Sequence, residues 1–414
     1  MQNLQLGDLI DSISVTHKFD KDKLVFLNTS DVLEGEILTH EYMNVSELKG
    51  QAKKTIKKDD ILFSEIRPKN KRYAYVEIED TKDYVVSTKL MVLRNKSKEA
   101  LTKYIYYFLT SEHFLDYLQM RAESRICSFP QITFDILKPI SIRVPTLDKQ
   151  EKIVSIIDNL NKKISTNNQI NATLEQMAKT LYDYWFVQFD FPDDNGKPYK
   201  SSGGEMVYNE TLKRDIPKGW GVKQLNQLIT VKDGTHNSPR YVENGYPLVT
   251  SKNLFSSGID FSNTNKISAS DFIEINKRSK VDNGDILFSM IGNIGTIYKV
   301  EETDINFAIK NVALFKSSEN LELKNYFFQY FHSHDMQSYM RSVISGSIQK
   351  FIGLESLRKT PILFNEEVIK KFQLESEGYF NLINNLNIQN RKLIELRDWL
   401  LPMLMNGQVT ITGE

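Results

Sequence analysis

Apolar positions along the chain form two kinds of pattern, and each kind occurs twice. Short apolar, β-prone runs cover 59–64, 84–94, 285–291 and 305–315; their length and their Val, Ile and Phe content predict strands. The segments 101–117 and 323–340 carry aromatics three or four residues apart and predict helices. A longer pattern follows each set. Ile153, Ile157, Leu160 and Ile164, then Leu174, Ala178, Leu181 and Trp185, recur in steps of four and three if Asn167 and Asn171 fill the places between. Phe372, Tyr379, Ile383, Leu386, Asn390, Leu393, Leu400 and Leu404 repeat that seam later. Both are heptad stripes predicting long amphipathic helices. Strands leading into helix in each half make the fold class α/β (α+β), with two similar globular domains.

The likeness of the halves extends to residues in order. Asp60-Ile61-Leu62-Phe63-Ser64 returns as Asp285-Ile286-Leu287-Phe288-Ser289, shifted by 225. Leu27-Asn28-Thr29-Ser30 matches Leu248-Val249-Thr250-Ser251, and Lys89 matches Lys310, both at 221. Leu101, Tyr104, Ser111, Tyr117, Ile126, Phe129 and Pro139 meet Leu323, Tyr326, Ser333, Tyr339, Ile348, Phe351 and Pro361 at 222. This period far exceeds that of solenoid repeats, so the repeating unit is a whole domain with its connector. The chain is expected to be a pseudo-dimer with an internal pseudo-two-fold.

Each long helix exposes one apolar stripe, and two such helices most simply hide their stripes on each other, as an antiparallel coiled coil. The seam is expected to comprise Ile157, Leu160, Ile164, Asn171, Leu174, Leu181 and Trp185 with Ile383, Leu386, Asn390, Leu393 and Leu400. Asn171 and Asn390 hold equivalent places, and facing amides would favour one register. About 40 helical residues span on the order of 60 Å, so the pair would act as a spacer. The expected layout is domain 1 at 1–146, a central helix at 147–191 and a turn-rich linker at 192–216. Domain 2 follows at 217–366, then a C-terminal helix at 367–405 and a tail at 406–414.

Composition narrows the function. Of 414 residues, 40% are hydrophobic and 26% charged, which suits globular domains. Lys plus Arg and Asp plus Glu both number 53, so any nucleic-acid binding must come from local patches. The one cysteine, Cys127, excludes an internal disulfide and a Cys-clustered zinc site. No apolar run is long enough to cross a bilayer, and 1–11 lacks the basic and apolar regions of a signal peptide, so a cytoplasmic location without membrane contact is expected.

Catalytic signatures are missing. The chain has no phosphate loop before Lys and Ser or Thr, no G-x-G-x-x-G, no G-x-S-x-G and no H-E-x-x-H. It also lacks an Asn-Pro-Pro-aromatic motif of the amino-methyltransferase kind. His332, His334 and Asp335 resemble metal ligands, but a spacing of two on a helix points the imidazoles apart. No catalytic residue and no metal site are expected.

Basic loops remain. Arg67, Lys69, Lys71 and Arg72 stand in six residues after the first Asp-Ile-Leu-Phe-Ser run, placed to meet phosphates or guanine edges, though a solvated turn would look the same. The matching loop, Gly292-Asn293-Ile294-Gly295-Thr296, is uncharged, which suits a variable reading loop better than a shared structural turn. Asp233 to Arg240 adds His236 and Arg240, with a bare turn as the alternative. Gly346-Ser347-Ile348-Gln349-Lys350 offers Gln349 and Lys350, with an N-cap as the equal alternative, and Arg125 holds the corresponding place in the first half. Lys89, Lys252, Asn293 and Lys310 complete the candidate DNA-contacting set.

The duplicated layout, Pro217-Lys218-Gly219-Trp220 opening the second half and the Asp-Ile-Leu-Phe-Ser runs resemble the specificity (S) subunits of Type I restriction-modification enzymes. So do Gly346-Ser347-Ile348-Gln349-Lys350 and the helical regions Leu147-Asp148-Lys149-Gln150-Glu151-Lys152-Ile153 and Leu181-Tyr182-Asp183-Tyr184-Trp185-Phe186. The resemblance covers practically the whole chain. It implies two target-recognition domains, each reading half of a split, asymmetric site on double-stranded DNA, held apart by the helices. It also implies methyltransferase (M) subunits, two per S subunit, docked on the helical regions, and restriction (R) subunits. S-adenosylmethionine, ATP and Mg would then belong to those partners, with no cofactor bound here. Two departures stand out: the first half lacks a Pro-x-Gly-Trp opening, and Ser128-Phe129-Pro130 replaces its Gln-Lys element. A divergent DNA-modifying enzyme and a non-catalytic protein scaffold are the competing readings.

Overall fold

The computed structural model describes residues 2–48, 50–124, 131–256, 258–346 and 350–409. Two compact units emerge, one from Met1–Asn167 with Ile388–Glu414 and the other from Asn168–Asn387.

Unit 1 is built on an antiparallel sheet with strand order Ile10–Ile13, Leu90–Asn95, Ile61–Ser64, Tyr73–Tyr75. Its central strand is buried on both faces, which explains an unbroken apolar run instead of alternation. Period two still governs the packing. Ile61 and Phe63 face a core shared with the helices Thr102–Leu109 and Glu112–Glu123, whereas Leu62 faces Val25, Val86 and Val92. A second sheet joins Lys23–Leu27 in parallel to Tyr84–Ser87.

Unit 2 repeats this plan on its own residues. Val231–Asp233, Val312–Phe315, Ile286–Ser289 and Ile297–Lys299 form the antiparallel sheet in the same order, and Tyr241–Thr250 runs parallel to Ala308–Lys310. Ile286 and Phe288 face one core and Leu287 the other.

The shared Asp of the repeated motif has a structural task. Asp60 takes a bidentate pair from Arg94, both bonds at 2.7 Å, while Asp285 takes Lys316 at 2.6 Å. Each carboxylate also caps the turn before it, at Lys57 N and Asp282 N. The motif serine folds the start of the next loop, bonding across to Ile66 in unit 1 and Ile291 in unit 2.

Several sequence expectations need correction. The apolar runs 84–94 and 305–315 each split between two sheets, at Thr88-Lys89 and at Asn311, whose φ of 53° turns the chain. The second turn is one residue shorter. Sheet register therefore matches Lys310 to Ser87 and leaves Lys89 in the turn, so the two lysines are not equivalent. Asn28 and Thr250 each cap a 3₁₀ turn, which moves the Leu27–Ser30 match by one residue to the common shift of 222. The expected single helices break at Ser111 and at Ser333, whose hydroxyl caps the following turn. In the turn-rich stretch after 191, Phe191 stacks on Tyr199 at 4.8 Å and both Phe189 and Phe191 meet Trp220.

The long helices are Leu147–Tyr182, extended by a π-turn at Asp183–Val187, and Glu366–Asn406. In unit 1, Ile153 and Ile157 share a core with Leu401, Leu404 and Met405, against which Leu160 and Leu400 pack. Arg397 bonds Asn161 at 3.2 Å, and Asn167 donates to Gln389 at 2.7 Å and Asn390 at 2.8 Å. In unit 2, Asn171 donates to Asn387 at 2.7 Å, and Tyr182, Trp185 and Phe186 surround Phe372. Partner numbers fall on one helix as they rise on the other, the signature of antiparallel pairing. The amides meet with different partners than expected: Asn167 serves Asn390, and Asn387 serves Asn171. Ile383 is buried in the seam, while Ile164, Leu174, Leu181, Leu386 and Leu393 are half-buried. Heptad spacing missed Tyr182 and Phe186, which are buried because the helix end sinks into the unit 2 core.

Lys299 carries a prediction of its own. It lies half-buried beneath Phe380, 4.8 Å from the ring centroid, and desolvation followed by the Lys324 charge pushes its pKa down from 10.5 to about 8. The unfolded chain then binds more protons than the folded one between those values, so stability should rise with pH across that window. Urea midpoints measured at pH 8 and pH 10 should show that rise, and Lys299→Met should flatten it.

Candidate nucleic-acid interface

The loop leaving the motif strand meets the segment following the helix pair at one end of the sheet in each unit, and in unit 1 the short turn between the two sheets joins them. In unit 1, Glu65 N donates to the Lys89 carbonyl at 3.2 Å, Ile66 pairs with Gln131, and Gln131 Nε2 donates to Glu65 at 2.8 Å. In unit 2, Ile291 pairs with Phe351 and Ile352 N donates to Met290 O at 3.0 Å. The loop after the motif strand meets the segment after the helix pair in both units, on different side chains.

The basic loop of unit 1 is largely occupied by internal pairing. Lys69 pairs with Asp116 at 2.8 Å and Lys71 with Glu112. Arg72 donates to the carbonyls of Ser30 at 2.9 Å and Val32 at 3.3 Å, tying the loop to the neighbouring 3₁₀ turn. These bonds engage the other cations of the loop, and Arg67 is the cation within it whose side chain lacks a partner among the described residues. Its backbone sits at φ 46°, a left-handed conformation costly for a side-chain-bearing residue, held by Pro68 and the turn behind it. Lys89 is exposed.

In unit 2, His236 is anchored at both ring nitrogens, Nε2 2.7 Å from Asp233 and Nδ1 2.7 Å from Asn311. Lys310 donates to Ser238 Oγ at 2.6 Å. Arg240, Lys252, Asn293 and Lys350 are exposed. Arg125 and Gln349, like Cys127, lie outside the described residues. Sequence reading missed Arg278, at the end of the helix Ala269–Ser279, which pairs with Asp233. Nothing in its local sequence separates it from a solvated helix-end cation; only the fold brings it to Asp233. His332 and Asp335 have structural roles, His332 against the Phe328 carbonyl at 2.8 Å and Asp335 pairing with Arg214 at 2.7 Å.

The long helices bear a second surface. Met177 and Tyr184 of unit 2 are 45% and 37% exposed, and with Ala172, Leu181 and Tyr379 they line an apolar groove. In unit 1, Leu396 and Trp399 are 44% and 57% exposed. Leu396 follows Met177 by the 219 residues that relate the two helices. These large apolar side chains are left uncovered on the described surface of the helices. Among the described residues no helix is long and apolar enough to cross a membrane.

The sequence model of the family described as Type I restriction modification DNA specificity domain matches residues 1–176. The chain is 30% identical to the Type I restriction enzyme HindI specificity subunit of Haemophilus influenzae, over 98% of each chain. It is 26% identical to the Type I restriction enzyme MjaIX specificity subunit of Methanocaldococcus jannaschii, over 75% of this chain and 70% of that one. The solved structure of a Type-I restriction-modification system S subunit from M. genitalium shares the fold, with a TM-score of 0.50 at 15% identity over 99% of this chain and 96% of that chain. The twin sheets, the antiparallel helix pair and this full-length likeness make the chain a member of the specificity-subunit family of Type I restriction-modification enzymes.

Proposed function

We propose that each unit reads one half of a bipartite, asymmetric DNA site and that the helix pair sets the distance between the halves. The observation that carries this reading is the repetition of one scaffold with divergent side chains at the same end of its sheet. Scaffold features such as Asp60–Arg94 and Asp285–Lys316 occur in both units. The loop chemistry, Arg67 in one and His236 with Lys310 in the other, does not. Phosphate contacts would fix orientation, while a few base contacts in the major groove would supply specificity. Half-sites about one helical turn apart, roughly 10 bp between centres, leave a spacer on the order of 5 to 8 bp unread. Inserting one helical turn between Asn161 and Thr173, with its complement in the second helix, should lengthen the preferred spacer. An unchanged spacer in the methylated sites would count against the ruler.

The exposed helix faces are the proposed docking sites for two methyltransferase subunits, one at the Met177–Tyr184 groove and one at Leu396–Trp399. S-adenosylmethionine chemistry would reside in those subunits, and ATP-driven steps with Mg in restriction subunits. Trp399→Ala should weaken one of the two sites by about 2 kcal/mol, the scale of an aromatic hot spot. Native mass spectrometry should then show one methyltransferase subunit per chain where the unaltered chain holds two. Two retained subunits at every concentration would remove Trp399 from the interface.

A further inference from the structure

We infer that Arg278 is a specificity-determining, guanine-reading side chain of unit 2, positioned by the buried carboxylate of Asp233; the inference rests on the half-site reading proposed above.

The Asp233 side chain is 3% exposed, yet both its oxygens are directed at exposed cationic or polar groups. Oδ1 takes Arg278 Nη2, and Oδ2 lies 2.7 Å from His236 Nε2. The Arg278 side chain is 58% exposed. One arm of its guanidinium is therefore tied down, and its remaining N–H groups face solvent with no partner among the described residues. A carboxylate bound to one arm of an arginine restricts where its remaining N–H groups can point. Guanine presents O6 and N7 side by side in the major groove, an acceptor pair that the guanidinium fork matches and an ammonium does not.

Everything around Asp233 is stiff. Gly234 N donates to Val312 O at 2.9 Å and Thr235 N to Ile309 O at 3.0 Å, which ties the loop to both strands flanking Asn311. The approach is so close that a Cβ on Gly234 would stand 2.2 Å from the Ile309 carbonyl oxygen. The helix delivering Arg278 is seated by Phe272 and Ile275 on Leu248, Ile267 and Ala308. Both ends of the ion pair thus come from fixed backbone.

Comparison between the units separates this pair from the scaffold. Sheet register matches Asp233 to Ser14, and unit 1 has the strand Ala52–Thr55 where unit 2 has the Arg278 helix. Thr235-His236 has its counterpart in Thr16-His17, but the His17 ring bonds the Lys82 carbonyl at 2.8 Å instead. Asp60–Arg94 and Asp285–Lys316 recur because both folds need them. Asp233–Arg278 exists once, as a device specific to one half-site must.

The test maps N6-methyladenine motifs written by complexes of the full chain with its methyltransferase subunits, for the unaltered chain, Arg278→Lys, Arg278→Ala and Asp233→Asn. The unaltered complex should give a two-part motif with a guanine in one half. Arg278→Lys and Arg278→Ala should lower discrimination at that guanine at least tenfold and leave the other half unchanged, and Asp233→Asn should relax the same position less. Arg278→Lys keeps a cation beside Asp233, so it decides the matter if Arg278→Ala fails to fold. An unaltered motif in Arg278→Lys would overturn the inference. So would a uniform loss at every position in Arg278→Ala that Arg278→Lys restores, the behaviour of a phosphate contact. Absence of any two-part motif from the unaltered complex would instead refute the half-site reading itself.

Discussion

Asp285→Ala should destabilise unit 2 by about 3–5 kcal/mol, the scale for leaving one member of a buried ion pair behind. The Asp285 side chain is fully buried, Lys316 beside it is 5% exposed, and their contact is 2.6 Å. The same carboxylate accepts from Asp282 N at 2.7 Å and from Ser318 Oγ at 2.6 Å, so alanine also removes a turn cap. Asp282, at 2.6 Å, would remain to hold Lys316 and keeps the loss from exceeding that range. Hydrogen exchange should show protection lost at Ile286–Ser289 and retained at Ile61–Ser64 of the other unit. Adding Lys316→Met should recover part of the loss, because the stranded charge goes with it. A single variant within about 1 kcal/mol of the unaltered protein would contradict this account of the repeated aspartate.

Phe372→Ala should cost a similar amount, about 3–5 kcal/mol, through a cavity rather than a charge. Phe372 is completely buried, with the rings of Phe186 at 5.3 Å, Trp185 at 5.9 Å and Tyr182 at 6.1 Å. Removing it leaves three large aromatics of the first long helix facing a void that rigid neighbours cannot fill. Leu374, two residues along the same helix and 72% exposed, provides the control: Leu374→Ala should change stability by less than about 0.5 kcal/mol. Urea unfolding followed by tryptophan fluorescence, which reports on Trp185 and Trp220 in this core, should separate the two variants. Equal midpoints would mean that the helix end is not seated in unit 2.

The duplication was legible because buried strands tolerate few substitutions: Ile61–Ser64 and Ile286–Ser289 are covered on both faces. The long helices were legible for a related reason, their spacing being fixed by a stripe that must be hidden. Turns were read less well. Asn311 does with one residue what Thr88-Lys89 does with two, and a gap that small misaligned Lys89 and Lys310. The amide pairs were half legible: the need for partners follows from the residue type, whereas the identity of each partner depends on register between segments more than 200 residues apart. Charged loops were the hardest. A run of cations in sequence cannot reveal that Glu112 and Asp116 take up Lys71 and Lys69, and no local pattern brings Arg278 to Asp233, 45 residues away.

The central claim is that each unit reads its half of the site independently, and one chimaera tests it most directly. Residues 221–365 are replaced by a second copy of 2–146, which leaves both long helices and Trp220 in place, and the methylated motif is mapped in the complex with methyltransferase subunits. The account predicts a symmetric motif in which the half-site of unit 1 appears twice, inverted, across the original spacer. A motif that keeps the former second half, or that loses the first, would contradict it.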